Sequence, residues 1–363
     1  MRVRPLTDAE RDSGEKAALL CLDDQRTVHI DEPPGEDRTL RSTGRVVQSY
    51  SLDASIPPDA SQGVFFDRCG IKPMLHSVLN GFAATCFAYG QTGSGKTYSL
   101  IGPESSTDKL DKRSSEHDGL LSRAVKFLFS EIKRRQGVEH VVEVSYCEIY
   151  NERVRDLLHE GAGAADSQPL PVRYNPHEGF YVDGLTTIPC SSKAEVMSCF
   201  CRGFGKTRVA SHDMNVRSNR SHCIFSIHVH ITGTEAKPLQ VAHGKMCFVD
   251  LAGSERACHT HATGKTLAES GQINKSLFVL GKVIAALTAR AKKGGGRGVR
   301  VPYRDSTLTR LLMSSLGGHC KTLMVTCCSS SPGHISESLR SLQVCTCSKA
   351  LAPQSWGITR ETN

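Results

Sequence analysis

The sequence predicts a single α/β domain of the P-loop NTPase class, with a central, mostly parallel sheet flanked by helices on both faces. Three observations carry this. Short apolar strand-like runs alternate with helical ones along the chain. One such run ends in a glycine-rich loop of the form G-x-x-x-x-G-K-[ST]. No break in composition reads as a linker between domains, so a single domain is expected.

Ala83 to Tyr89 is a short apolar run closed by glycine, as expected of a buried strand feeding a phosphate loop. The polar stretch Gly102 to Asp118 reads as a surface loop. His140 to Ile149 is rich in β-branched residues and reads as a strand, followed by a short helix over Tyr150 to Leu158. Ser221 to Thr232, Lys245 to Val249 and Lys321 to Cys328 read as three further strands. Between the last two, Gln272 to Ala289 sets Ile273, Leu277, Leu280 and Ile284 on one face of a helix. Gly161 to Ala165 and Lys292 to Gly298 are short low-complexity stretches.

Composition excludes several classes. The 363 residues are 39% hydrophobic and 23% charged, ordinary values for a globular protein. No apolar run reaches the ~18–20 residues of a membrane span. Met1 to Pro5 lacks the apolar core of a secretory signal, so the chain is read as intracellular and soluble. The fifteen cysteines form no C-x-x-C pair and no zinc-ribbon spacing, and several lie in apolar runs. They read as reduced, mostly structural thiols. The formal charge of +8 favours an acidic partner without choosing among nucleic acid, membrane and protein.

The loop itself is Gly90-Gln91-Thr92-Gly93-Ser94-Gly95-Lys96-Thr97. Its glycines let backbone N–H groups close around phosphate oxygens without side chains in the way. Lys96 supplies an ammonium for the β- and γ-phosphates, Thr97 a hydroxyl for Mg²⁺, and the helix that follows points its positive end at the same anions. By composition alone the pattern arises in roughly one chain of this length per hundred, and the strand before it makes accident rarer still. The loop thus predicts a nucleotide, without saying which kind of NTPase.

Extended to Phe87 and Tyr98, the loop resembles that of the kinesin motor domain, and further segments agree with that family in order. Arg2-Val3-Arg4-Pro5 resembles the R-x-R-P element lying against adenine. Asn215 to His222 resembles the first switch, N-x-x-S-S-R-S-H, and Asp250 to Arg256 the second, D-L-A-G-S-E-R. Ile273 to Leu277 and Val301 to Ser306 look like the helix and loop that face tubulin. The resemblance implies a microtubule-stimulated ATPase of the cytoplasmic cytoskeleton, with ATP and Mg²⁺ as cofactors and tubulin as partner. Its extent, and not composition, places the domain at 1–350 and a short tail at 351–363. It implies adenine-side contacts from Arg2, Arg4 and Pro5, nucleotide contacts from the loop through Tyr98, and metal contacts from Thr97, Asn219 and Asp250, the last through water. Gly253 becomes the γ-phosphate sensor, while Ser218, Arg220 and Glu255 handle water and proton. Arg220 and Glu255 are expected to form a salt bridge when the switches close. His222 is read equally as a hydrogen-bonded structural histidine.

Three departures qualify the resemblance. Asn219 stands where the family has a serine that helps to hold the metal; its carbonyl oxygen can ligate a hard cation, but the side chain is bulkier. Thr307 replaces a lysine expected at the filament, leaving Lys275, Arg304 and Arg310. Just upstream, Arg290, Lys292, Lys293, Arg297 and Arg300 place five cations around flexible glycines, read as an electrostatic tether to acidic tubulin tails and otherwise as solvated surface. Lastly, the chain begins inside the family's first strand, which is therefore expected to be short with a weakened adenine side, and its last helix, Ser338 to Ala350, matches only loosely. With no coiled-coil stalk in the sequence, a monomer is expected. The competing readings are a microtubule-binding protein that holds nucleotide with little turnover, and a nucleic-acid NTPase supported only by positive charge; the latter leaves the switches unexplained.

Overall fold

The structure, a computed structural model, describes residues 1–32, 46–103, 116–160, 168–176, 179–212, 220–233, 241–255, 265–292, 299–317 and 320–349. Its centre is an eight-stranded sheet made of β1 (Arg2–Arg4), β2 (Ala83–Tyr89), β3 (Val138–Tyr150), β4 (Arg153–Asp156), β5 (Ile188–Pro189), β6 (His222–Gly233), β7 (Ala242–Asp250) and β8 (Lys321–Ser329). The strands run in the order β1-β8-β2-β7-β6-β3-β5, and β4 pairs with β3. Pairing is parallel from β1 across to β7 and antiparallel from β7 through β6 to β3. The parallel half is the one that carries the phosphate loop. Smaller antiparallel sheets are formed by Leu19–Cys21, Thr27–Glu32 and Val46–Ser51, and by Val172–Asn175 with Gly179–Val182.

Alternation along each strand divides the core into two faces. On β6, Phe225, Ile227, Val229 and Ile231 point to one side, where α1 (Ile71–Val78), α3 (Leu120–Arg134) and α4 (Lys193–His212) supply Leu75, Leu128 and Phe200. Ile224 points to the other, with Phe87 of β2 and Val249 of β7. There α5 (Lys265–Lys292) buries Leu277, Leu280, Val283, Ile284 and Leu287, extending the helical face read from the sequence. The short α2 (Lys96–Leu100) leaves the phosphate loop, α6 (Thr307–Leu311) packs beside α5, and α7 (Ile335–Lys349) packs against β8.

β1 is fully paired: Arg2, Val3 and Arg4 register against Cys327, Cys328 and Ser329 of β8. The Met1 ammonium donates to Ala54 O at 2.7 Å. The helix expected over Tyr150 to Leu158 is instead a hairpin. Asn151 and Glu152 both take left-handed backbone angles, φ 50° and 63°, which makes a two-residue turn whose twist matches the strands. The chain folds back with Tyr150 opposite Arg153 and Cys147 opposite Asp156. Among the described residues the fourteen cysteines are all free thiols. Burial pushes the Cys147 thiol up to about 12, away from reactivity.

Candidate nucleotide site

The site gathers at the carboxyl ends of the parallel strands, where an open α/β sheet offers its crevice. Gly90 leaves β2 with φ +150°, and a Cβ there would lie 2.2 Å from Cys327 O on β8, so the position admits only glycine. The loop closes through Ser94, whose Oγ donates to Gln91 O at 2.8 Å. Lys96 is buried, its Nζ donating to Gly90 O and Gln91 O at 2.9 Å each. Burial lowers its pKa, while Asp250 and Glu255 pull the other way. Thr97 Oγ1 donates to Asp250 Oδ2 at 2.7 Å. The second oxygen, Asp250 Oδ1, is buried with no hydrogen-bond partner among the described residues, and burial raises the carboxyl's pKa. An oxygen pair with one member unsatisfied, beside a threonine hydroxyl, is the donor set a hard divalent cation takes.

A cavity of about 440 Å³ opens over the second half of the loop, lined by Gly93 to Ser99 and by Arg2, Arg4 and Pro5. Gly90, Gln91 and Thr92 precede this lining in the loop. The two arginines are more embedded than the sequence implies. The Arg2 guanidinium lies between the rings of Phe65 and Tyr98, 4.7 and 5.0 Å from their centroids, and donates to Gln62 Oε1 at 2.8 Å. It thereby fixes Tyr98, which stays 41% exposed at the cavity mouth as an aromatic platform. Arg4 donates to Glu10 Oε1 at 2.6 Å and to Ser329 Oγ at 2.8 Å; the guanidinium holds the Glu10 carboxyl down at about 2.

Across the crevice, the segment after β7 approaches the loop closely. Ser254 N donates to Gly90 O at 3.1 Å, and a Cβ on Gly253 would fall 2.3 Å from both Thr92 Oγ1 and Glu255 Oε2. The Glu255 carboxylate accepts from Thr92 N at 2.8 Å and Thr92 Oγ1 at 2.5 Å, a partner that sequence reasoning did not supply. Arg220 is half-buried in the turn before β6, whereas Ser218 and Asn219 lie outside the described residues. His222 is fully enclosed: its Nδ1 accepts from Ala252 N at 2.9 Å and its Nε2 lies 2.7 Å from Ser276 Oγ on α5. Of the two roles open to it in sequence, it has the hydrogen-bonded one.

Of the predicted filament-facing cations, Lys275, Arg290 and Lys292 belong to α5, Arg300 and Arg304 to the segment after it, and Arg310 to α6. Lys275, Arg290, Arg300 and Arg304 are exposed. Arg310 is half-buried, donating to Thr307 Oγ1 at 2.9 Å. Lys292 is the last residue of α5, and Lys293 and Arg297 lie outside the described residues. Thr307 is buried; its N–H donates to Glu152 Oε2 at 2.6 Å and its hydroxyl to Glu152 O at 2.8 Å, tying α6 to the β3–β4 turn. No local pattern marks Glu152 in the sequence, and the motif that contains Ser276 does not reveal its bond to His222, because both act through partners more than 50 residues away.

A glycine-rich loop between a parallel strand and a helix, with a buried lysine and a threonine–aspartate pair beside it, defines a P-loop nucleotide-binding domain. The kinesin motor domain model matches residues 2–351, and the chain belongs to that family. It is 38% identical over 346 residues to the chromosome-associated kinesin KIF4 of Gallus gallus, covering 94% of this chain and 26% of that protein. It is 41% identical over 310 residues to the kinesin heavy chain of Neurospora crassa, covering 85% of this chain and 31% of the relative. The chain thus spans about a quarter to a third of the length of these curated relatives. A solved structure of a fast kinesin superposes with a TM-score of 0.81 at 36% identity, covering 96% of this chain and 90% of the other.

Proposed function

We propose that this chain is an ATP-hydrolysing motor that works on microtubules of the cytoskeleton. Beyond family membership, the observation that carries the proposal is the buried Asp250 Oδ1, without a hydrogen-bond partner among the described residues, beside Thr97 and Lys96. A magnesium ion held by Thr97 and Asp250, with Asn219 as the further oxygen donor that the switch motif implies, would neutralise the phosphates and orient them. Lys96 exchanges its two carbonyl partners for phosphate oxygens, and the backbone N–H of Gly253, with no Cβ in the way, senses the terminal phosphate. Glu255 leaves Thr92 for Arg220, and together with Ser218 these residues orient water for attack. Arg2 and Arg4 buttress the adenine side with Pro5, and Tyr98 provides a stacking face.

Filament binding is assigned to Lys275, Arg304 and Arg310, with Arg290, Lys292, Lys293, Arg297 and Arg300 as the tether. ATP turnover measured with and without polymerised tubulin tests the reading: several-fold or greater stimulation is expected, and filament binding without stimulated turnover would refute the motor. The second reading, a nucleotide-holding filament binder, rests on Asn219 in place of serine. It predicts that second outcome.

A further inference from the structure

We infer that His222 is a positioning residue: one rigid imidazole that locks the backbone of the segment after β7 to helix α5, so that movement at the phosphates is delivered to the filament-facing helix. The inference rests on the motor reading and adds to it a named link. His222 is 2% exposed and is the first residue of β6, two residues beyond Arg220. Because the Ala252 N–H can only donate, Nδ1 must be the unprotonated nitrogen, and Nε2 therefore carries the proton and donates to Ser276 Oγ. Burial and the neighbouring Lys96 cation push the imidazole's pKa down to about 3, so this neutral tautomer persists at working pH.

Each end of the link lies within a segment of the machinery, Ala252 in the second switch and Ser276 in the filament-facing helix, yet neither side chain is assigned a contact with nucleotide or filament. Ala252 adjoins Gly253, whose close approach to Thr92 brings it to the phosphate loop. Ser276 is 2% exposed on the inner face of α5, while its neighbour Lys275 is exposed on the outer one. The two ring nitrogens are fixed relative to each other, so the Ala252 segment and α5 cannot slide past one another without breaking a buried bond or moving together. Such a bond has two states, made and broken, and a two-state element biased from both ends is what coupling between sites requires.

The test uses Ser276→Ala, a small change that removes the acceptor, and His222→Asn, whose Oδ1 can still accept from Ala252 N–H but which cannot reach Ser276. Both should leave basal turnover, nucleotide affinity and half-saturating tubulin concentration within about twofold of wild type, and lower maximal stimulated kcat about tenfold. The double variant should fall no further, because the two changes cut one link. Hydrogen exchange along α5, with and without a non-hydrolysable ATP analogue, gives a filament-free readout: the nucleotide should alter protection in wild type and not in Ser276→Ala. Wild-type stimulation in Ser276→Ala, or an equal fall in basal and stimulated rates, would overturn the inference. If wild type shows no stimulation at all, the motor reading fails, and the exchange experiment still decides the link. Should His222→Asn fail to fold, Ser276→Ala alone carries the test.

Discussion

Lowering the pH from 7 to 5 should destabilise this domain through His222, by an amount the structure sets. The imidazole's pKa is about 3 in the fold against 6.5 as its ordinary value. Between those two values the unfolded chain binds the proton and the folded chain does not. Stability from this group is therefore complete above pH 6.5 and is lost as the pH falls toward 3. At pH 5 the gap is about 1.5 pH units, or about 2 kcal/mol at 1.36 kcal/mol per unit. That is a large part of a total of roughly 5–15 kcal/mol. Urea unfolding of wild type and His222→Asn at both pH values isolates the effect, since asparagine does not titrate. His228, also pushed to about 3, and Glu10, held at about 2, are common to both proteins and cancel in the double difference. Wild type should lose about 2 kcal/mol more than the variant. Equal losses would mean that His222 is charged in the fold or solvated, and would remove the tautomer argument with it.

Three further outcomes are expected. Lys96→Ala should abolish Mg·ATP binding in a fluorescent-nucleotide titration, since the phosphates lose their principal cation; unchanged affinity would remove Lys96 from its role. Glu255→Ala should keep nucleotide binding and lower tubulin-stimulated turnover by roughly tenfold to a thousandfold, the scale for a positioned catalytic group; full stimulated activity would refute the switch exchange. Neutralising Arg290, Lys292, Lys293, Arg297 and Arg300 together should weaken cosedimentation with microtubules mainly at low salt, because screening at ~8 Å under physiological conditions already mutes a long-range electrostatic attraction. Wild type binding intact and tail-stripped microtubules equally at every salt would make these residues ordinary solvated surface.

Where the determinants of structure are local, the sequence was a sufficient guide. The strand from Ala83 to Tyr89 has the predicted bounds, because its apolar run and the glycine after it both act within a few residues. Lys96, Thr97 and Asp250 converge as the motifs imply. The hairpin at Asn151 and Glu152 was missed for the opposite reason. A glutamate in left-handed backbone is locally unfavourable, and what holds it is Thr307, 155 residues away, bonded to both its carbonyl and its carboxylate. The same threonine counted in sequence only as a lost lysine. Arg2 illustrates a second limit: its motif placed it at the adenine, but only three dimensions show its charge sandwiched between Phe65 and Tyr98.

The bonds around the phosphate loop also fix the order in which its parts can act. Lys96 is satisfied by Gly90 O and Gln91 O, Thr97 by Asp250, and Thr92 by Glu255. Buried donors demand such partners, so phosphate oxygens must displace protein oxygens, and affinity is the difference between two sets of hydrogen bonds of about 0.5–1.5 kcal/mol net each. A site whose donors are already bonded to protein oxygens gains less from binding than one whose donors are bonded only to water. It gains something else in return: every phosphate contact made releases a protein group. On the proposed reading, once Thr92 turned to phosphate Glu255 would be a carboxylate beside an anion, and repulsion would drive it away toward Arg220. Loading the nucleotide and closing the switches would then be one electrostatic event, and the segment that carries Glu255 includes Ala252, the residue whose N–H is bonded to His222.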